Sequence, residues 1–191
     1  STSGACIGAS QTVSITATPP PTMTSANTTT TCSGVSVGLS LTSDVPSSYS
    51  WLAKNNANTT GESLVAKSGN TINDVITNNT AAIQKVTYTI TPTSTGGNCV
   101  GTPQTITVTV NPAPNVTSAN TTTVCSGVAI NLSLSSNISS TYSWVAADNV
   151  NTTGESLTSQ AGNTIIDIVT NKNALTQTVI HNVMPTSVAG N

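Results

Sequence analysis

The strongest constraint on this chain is that it repeats itself without a slip. "TCSGVSVGLSLTS" begins at Thr31 and "VCSGVAINLSLSS" at Val124; Cys32 and Cys125, Trp51 and Trp144, Gly61 and Gly154, Asp74 and Asp167, and Pro92 and Pro185 all stand 93 positions apart (125 − 32). The same offset lays "CIGASQTVSITATPPPTMTSAN" from Cys6 on "CVGTPQTITVTVNPAPNVTSAN" from Cys99. An ungapped period of this kind means tandem copies of one folded unit, each with its own core. In frame, residues 1–23 are the closing strand and linker of a preceding copy. Residues 24–116 are a whole copy with its linker, and residues 117–191 a further copy lacking its final strand.

Within one copy the apolar residues recur every second position, the period of a half-buried strand. Val35, Val37, Leu39 and Leu41 share a face, as do Val128, Ile130, Leu132 and Leu134 in the next copy. Further strands carry Tyr49, Trp51 and Ala53; Ile72, Val75 and Ile76; Val86, Tyr88 and Ile90; and Ile106, Val108 and Val110. Thr fills most alternate positions, which suits the outer face of a sheet. Turn-forming clusters such as "CSG", "NTTG", "KSGN" and "STGGN" separate the runs. With an opening strand in "NVTSANTTT" and a short one near "ESLVA", each copy holds about seven strands in roughly 90 residues, as immunoglobulin-like sandwiches do. The expected fold is therefore all-β, a tandem of immunoglobulin-like antiparallel sandwiches. Trp51 and Trp144 stand on the third strand, where such sandwiches bury a tryptophan. They are read as core together with Leu39, Leu132, Ile72 and Ile165. A carbohydrate-stacking platform is the weaker reading, because two Trp, three Tyr and no Phe offer few aromatic surfaces.

Charge and chemistry narrow the function. Four basic and six acidic residues in 191 leave no polybasic patch, which argues against nucleic acid as a partner. No apolar run approaches the ~20 residues of a membrane helix, so direct membrane insertion is not expected. The single histidine, His181, has Tyr88 as its counterpart, so neither a Ser-His-Asp triad nor a histidine metal site is repeated. Glu62 with Asp74, and Glu155 with Asp167, are too few carboxylates for the six to eight oxygens calcium takes. Lys54, Lys67 and Lys85 are replaced by Ala147, Gln160 and Thr178, which removes an isopeptide lysine common to both copies. No catalytic residue, metal or cofactor is expected.

The string formed by "CSG", "YSW", "TGES", "GNTI", "VTYTITPTS" and the closing "CVGTPQTITVTVNPAP" resembles the PKD-like domains found in tandem in very large secreted surface proteins of Bacteroidota, many exported by the type IX secretion system. The second copy departs from it at "TVIHNVMPTS". The resemblance implies an extracellular spacer or adhesive repeat at the bacterial cell surface, and no catalysis. Cysteine usage agrees with that location. Two cysteines per copy without any C-x-x-C pair suit disulfides better than zinc. Cys32–Cys99 is the expected bridge, a self-contained pair whose loop closure would contribute roughly 4 kcal/mol. Against it stands topology, since the two should fall at opposite ends of a seven-strand sandwich; Cys6–Cys32 with Cys99–Cys125 would instead join neighbouring units.

The expected role is thus a stalk or filament segment of a surface adhesin, with neighbouring repeats of the same polypeptide or filament as partners. The alternative is a module whose inter-strand loops, "KNNANTTGES" among them, bind surface glycans or proteins. Residues 11–18 carry Val13, Ile15 and Ala17 at the offset of Ile106, Val108 and Val110. They are expected to complete a sandwich whose other strands lie in a preceding stretch of polypeptide or in a neighbouring copy.

Overall fold

A computed structural model describes residues 4, 6 and 8–188, so residues 1–3, 5, 7 and 189–191 of the flanking pieces lie outside the described residues. Alternation builds the first sandwich. Strand β3 (Ser47–Ala53) buries Tyr49, Trp51 and Ala53 and turns Ser48, Ser50 and Leu52 to solvent. It lies antiparallel to β8 (Gln84–Ser94), with Trp51 opposite Ile90. Next to β8 runs β9 (Gln104–Asn111), also antiparallel, with Tyr88 opposite Ile106. The outer edge of β9 takes β1 (Thr28–Cys32) in parallel, so that Thr28 faces Thr107 and Cys32 faces Asn111. With β5 (Lys67–Ser68) on the far edge of β3, the sheet order is β1-β9-β8-β3-β5.

The opposing layer is made of short pieces: β2 (Leu39–Ser40) with β6 (Thr71–Ile72), and β4 (Thr59–Thr60) with β7 (Thr77–Asn78). Its Val37, Leu41, Ile72 and Ile76 pack against the inward residues of β3, β8 and β9 in one core cluster. Val86, Tyr88, Ile90, Ile106, Val108 and Val110 are wholly removed from solvent. Two residues expected on the inner face are outside. Val35 belongs to the turn closed by Val35 N–H to Cys32 O at 3.0 Å, and Val75 points outward because strict alternation sends Ile72, Asp74, Ile76 and Asn78 inward.

The second repeat reproduces this frame at the same offset with β10 (Leu132–Ser133), β11 (Ser140–Ala146), β12 (Thr152–Thr153), β13 (Gln160–Ala161), β14 (Thr164–Ile165), β15 (Thr170–Asn171) and β16 (His181–Ser187). Its larger sheet has only the order β13-β11-β16. Buried Leu134, Tyr142, Trp144 and Ile165 form its core, with Ile130, Leu132 and Val183 half-buried against it. No helix occurs among the described residues, and all pairing is antiparallel except β1 with β9. The chain is a tandem of immunoglobulin-like β-sandwiches.

Candidate functional site

The only titratable side chains brought together in both repeats meet where the "TGES" turn folds onto the second layer. Gly61 makes that turn at φ +95°, and a Cβ there would stand 2.1 Å from Val75 O; Gly154 repeats this with φ +92° and Ile168 O at 2.1 Å. Only glycine accepts both the backbone conformation and the contact. The turn brings Ser63 onto buried Asp74: Ser63 N–H donates to Oδ2 at 2.7 Å and its hydroxyl lies 2.7 and 2.6 Å from Oδ1 and Oδ2. From β8, Tyr88 O–H donates to Asp74 Oδ2 at 2.8 Å. Lys67 Nζ stands 3.5 Å from Oδ1 but is itself 58% exposed. Burial works to raise the Asp74 pKa, but the hydrogen bonds from Ser63 and Tyr88, with Lys67 adding attraction, bring it below the ordinary carboxylate value. Burial, the bond to Asp74 and the negative charge there push the Tyr88 phenol far above its ordinary value. Beside this cluster, Glu62 Oε1 accepts from Thr59 Oγ1 at 3.1 Å and from Asn56 N–H at 3.3 Å.

In the second repeat Ser156 N–H and Oγ donate to Asp167 at 2.7 and 2.6 Å. His181 Nε2 lies 2.9 Å from Asp167 Oδ2, taking the place of the tyrosine hydroxyl. Burial again works to raise the Asp167 pKa, and Ser156 and His181 outweigh it downward. Serine, aspartate and histidine are thus neighbours, but in the order Ser-Asp-His. A hydrolytic triad needs the histidine against the serine so that it can take the hydroxyl proton; here both bind the carboxylate, and the serine hydroxyl is committed to it. With Asp74 and Asp167 so occupied, their oxygens are also engaged against a cation. What the cluster does is tie a turn to two strands. Sequence reading had placed these aspartates in turn-capping or solvated roles; their shared alternation with Ile72 and Ile165 was the signal of burial.

The other candidate residues fall elsewhere. Trp51 and Trp144 are 5% and 4% exposed, and Tyr49, Tyr88 and Tyr142 are buried too, so no aromatic ring offers an open face for a sugar. Ile72 and Ile165 are buried, while Leu39 and Leu132 sit half-buried at the margin of their cores. The loop containing Asn56 is held from within, since Asn56 Oδ1 accepts Asn58 N–H at 3.0 Å and its Nδ2 donates to Lys85 O at 3.1 Å. Equivalent shallow clefts open beside Tyr49 and Tyr142.

The expected Cys32–Cys99 bridge is corrected by the topology. All four cysteines are free thiols. Cys32 pairs with Asn111 at the end of β9, whereas Cys99 lies before that strand begins at Gln104. The length of β9, roughly 20 Å or more at ~3.3 Å per residue, separates them, and a disulfide needs Cα atoms within about 7 Å. Cys99 instead meets the incoming linker, with its Sγ 3.1 Å from Thr18 Oγ1.

Fold and cluster together define a tandem immunoglobulin-like module whose buried polar groups serve the scaffold. The PKD-like domain family matches residues 29–114 and again residues 122–191, and the chain belongs to that family. Its immunoglobulin-like modules are often structural or adhesive and typically non-catalytic. No curated protein matches the chain.

Proposed function

We propose that this chain is a spacer segment of a bacterial surface adhesin, in which units 24–116 and 117–191 give length and rigidity and neighbouring repeats are the partners. One observation carries this reading: what the two repeats share is scaffold. The buried Trp, the glycine turn, the Ser-Asp anchor and the strand frame recur at the fixed offset, while exposed loop positions drift, Lys54, Asn55 and Ala57 becoming Ala147, Asp148 and Val150. A binding surface used by every copy would hold its exposed residues instead. Pro19 to Pro21 and the Pro112 and Pro114 pair stiffen the joints by fixing φ. An extracellular place at the bacterial surface is part of this proposal, supported by the near-chargeless Thr- and Ser-rich exterior and the family. Small-angle scattering on constructs with increasing repeat number tests it. Each added repeat should lengthen the particle by roughly 30–40 Å, from strands of about 8–10 residues plus loops. A particle that thickens without lengthening would refute the spacer role, and saturable binding on a glycan array, abolished by substitutions in residues 54–63, would favour a binding module.

A further inference from the structure

The second sandwich has an open edge one strand wide. In the first, β9 fills the place between β8 and β1, making register pairs with Gln84 through Ile90 on one side and Thr28 through Cys32 on the other. In the second, β16 pairs only with β11 among the described residues. Residues 121–125, the counterparts of β1, form no strand and are exposed. Polar groups wait at the same place. Asn78 Nδ2 donates both to Ala82 O at 2.8 Å and to Val110 O of β9 at 3.0 Å; Asn171 Nδ2 donates to Leu175 O at 2.9 Å, and no β9-type carbonyl faces it. Ser33 N–H donates to Asn111 O at 2.8 Å, and Ser126 is its counterpart.

One segment of the chain carries the complementary pattern. Residues 11–18 match β9 at the repeat offset, form no strand, and leave Val13 and Ile15 73% and 89% exposed. They lead through Pro19 to Pro21 into the first sandwich, as β9 leads through Pro112 and Pro114 into the second.

We infer that residues 11–18 of a second copy complete the second sandwich, so that copies join head to tail by strand donation. Val13, Ile15 and Ala17 then cover the half-buried Val183 and Ile130, Ala17 O accepts from Asn171, and the junction between copies repeats the junction within one. The cysteines give this arrangement a signature. Cys99 stands against Thr18, whose counterpart is Asn111, and Asn111 is the strand partner of Cys32. In the joined pair the donor's Cys6 takes the place of a Cys99 in the acceptor's second sandwich. It therefore lies against the acceptor's Asn111, next to the acceptor's Cys32. Oxidised glutathione converts these two thiols to one disulfide: Cys6 and Cys32 together give up two protons and two electrons, and the glutathione disulfide leaves as two thiols.

This deepens the spacer reading by naming a partner, yet the two fail separately, because repeat-dependent length stands whether or not copies join. The 191-residue chain, refolded at increasing concentration under reducing conditions, should form a ladder of oligomers in sedimentation velocity. Ile15→Asp, at a site exposed in the single copy, should abolish the ladder, and added peptide with the sequence of β9 should shorten it. With oxidised glutathione, mixed 14N and 15N chains should yield a Cys6–Cys32 peptide bearing one label from each copy. A chain monomeric at every concentration, a ladder indifferent to Ile15→Asp, or cross-links joining Cys6 to Cys6 or to Cys125 would each overturn the inference.

Discussion

The first and second repeats use the same frame and reach different degrees of burial. Ile76 is fully buried, but its counterpart Val169 is half-buried; Ile90 is fully buried, and Val183 is half-buried. Thr31 is buried, while Val124, an apolar residue in its place, is 37% exposed. The residues themselves do not account for this, since the second repeat is as apolar at most of these positions. The difference is β9. One strand supplies Ile106, Val108 and Val110 to the core and the edge on which β1 forms, so its presence orders a neighbour as well as filling space. Sandwich cores are closed cooperatively, and the last strand contributes more than its own side chains.

The comparison is most directly broken by stability. With one tryptophan per repeat, each repeat can be followed in a variant whose other tryptophan is Phe. The second should unfold first, by up to about 5–9 kcal/mol, the value of three buried aliphatic side chains at roughly 1.5–3 kcal/mol each. Measured at low concentration, coincident transitions would show that the open edge costs nothing. Added β9 peptide should raise the Trp144 transition and leave the Trp51 transition where it was.

Trp51→Ala should destabilise the first repeat by roughly 3–5 kcal/mol, the cost of emptying a buried aromatic site. Trp144→Ala should cost less, because water already reaches the margin of that core. Equal losses in denaturant titrations would mean the two tryptophans are equally enclosed. The turn, by contrast, is alike in both repeats. Gly61→Ala and Gly154→Ala should each cost on the order of 2 kcal/mol, from the positive φ and the carbonyl a Cβ would meet; a difference above ~1 kcal/mol would show that the missing strand reaches the turn as well.

Next comes pH. The folded pKa values of Asp74 and Asp167 lie below the ordinary carboxylate value near 3.8, so folding favours their ionised forms. Their contribution is complete above that value and is lost as pH falls through the lower folded pKa, in both repeats. Tyr88 is raised above its ordinary value near 10. Its contribution is complete below pH 10 and is lost as pH climbs beyond it, and His181 puts no phenol at that place in the second repeat. Tyr88→Phe should therefore flatten the alkaline limb of the first repeat's stability curve and cost about 1–2 kcal/mol at neutral pH for the lost hydrogen bond. An unchanged limb would assign it to other groups. The smallest effect belongs to Lys67→Gln, which installs the residue of the second repeat. Lys67 is mostly solvent-exposed, so its ion pair is screened and the change should stay below ~0.5 kcal/mol; a larger loss in a urea titration would show the pair to be better shielded than its exposure implies.

Much of the fold and less of the cluster was legible in the residues. Strands β3, β8 and β9 announce themselves through runs in which Tyr, Trp, Val and Ile alternate with Thr and Ser, and each buries the alternate set. The second layer was harder, because its strands are two residues long and their register is held by turns rather than by extended ladders. There the apolar Val75 looked like core and the charged Asp74 like surface, whereas the pleat reverses them. Asp74 tolerates burial only because Ser63 and Tyr88 arrive from distant positions to satisfy its oxygens, and no local pattern records that meeting.

The sequence by itself determined the period, the all-β class, the family and the faces of the long strands, since these follow from spacing and alternation along the chain. The tertiary structure decided that β1 runs parallel to β9, that Cys32 and Cys99 lie at opposite ends of that strand, and that the second sandwich keeps an open edge. The physical reason is that pairing direction, end-to-end placement and core closure depend on which strands become neighbours. Alternation fixes only which way a side chain faces; what it faces is supplied by residues far away in the chain.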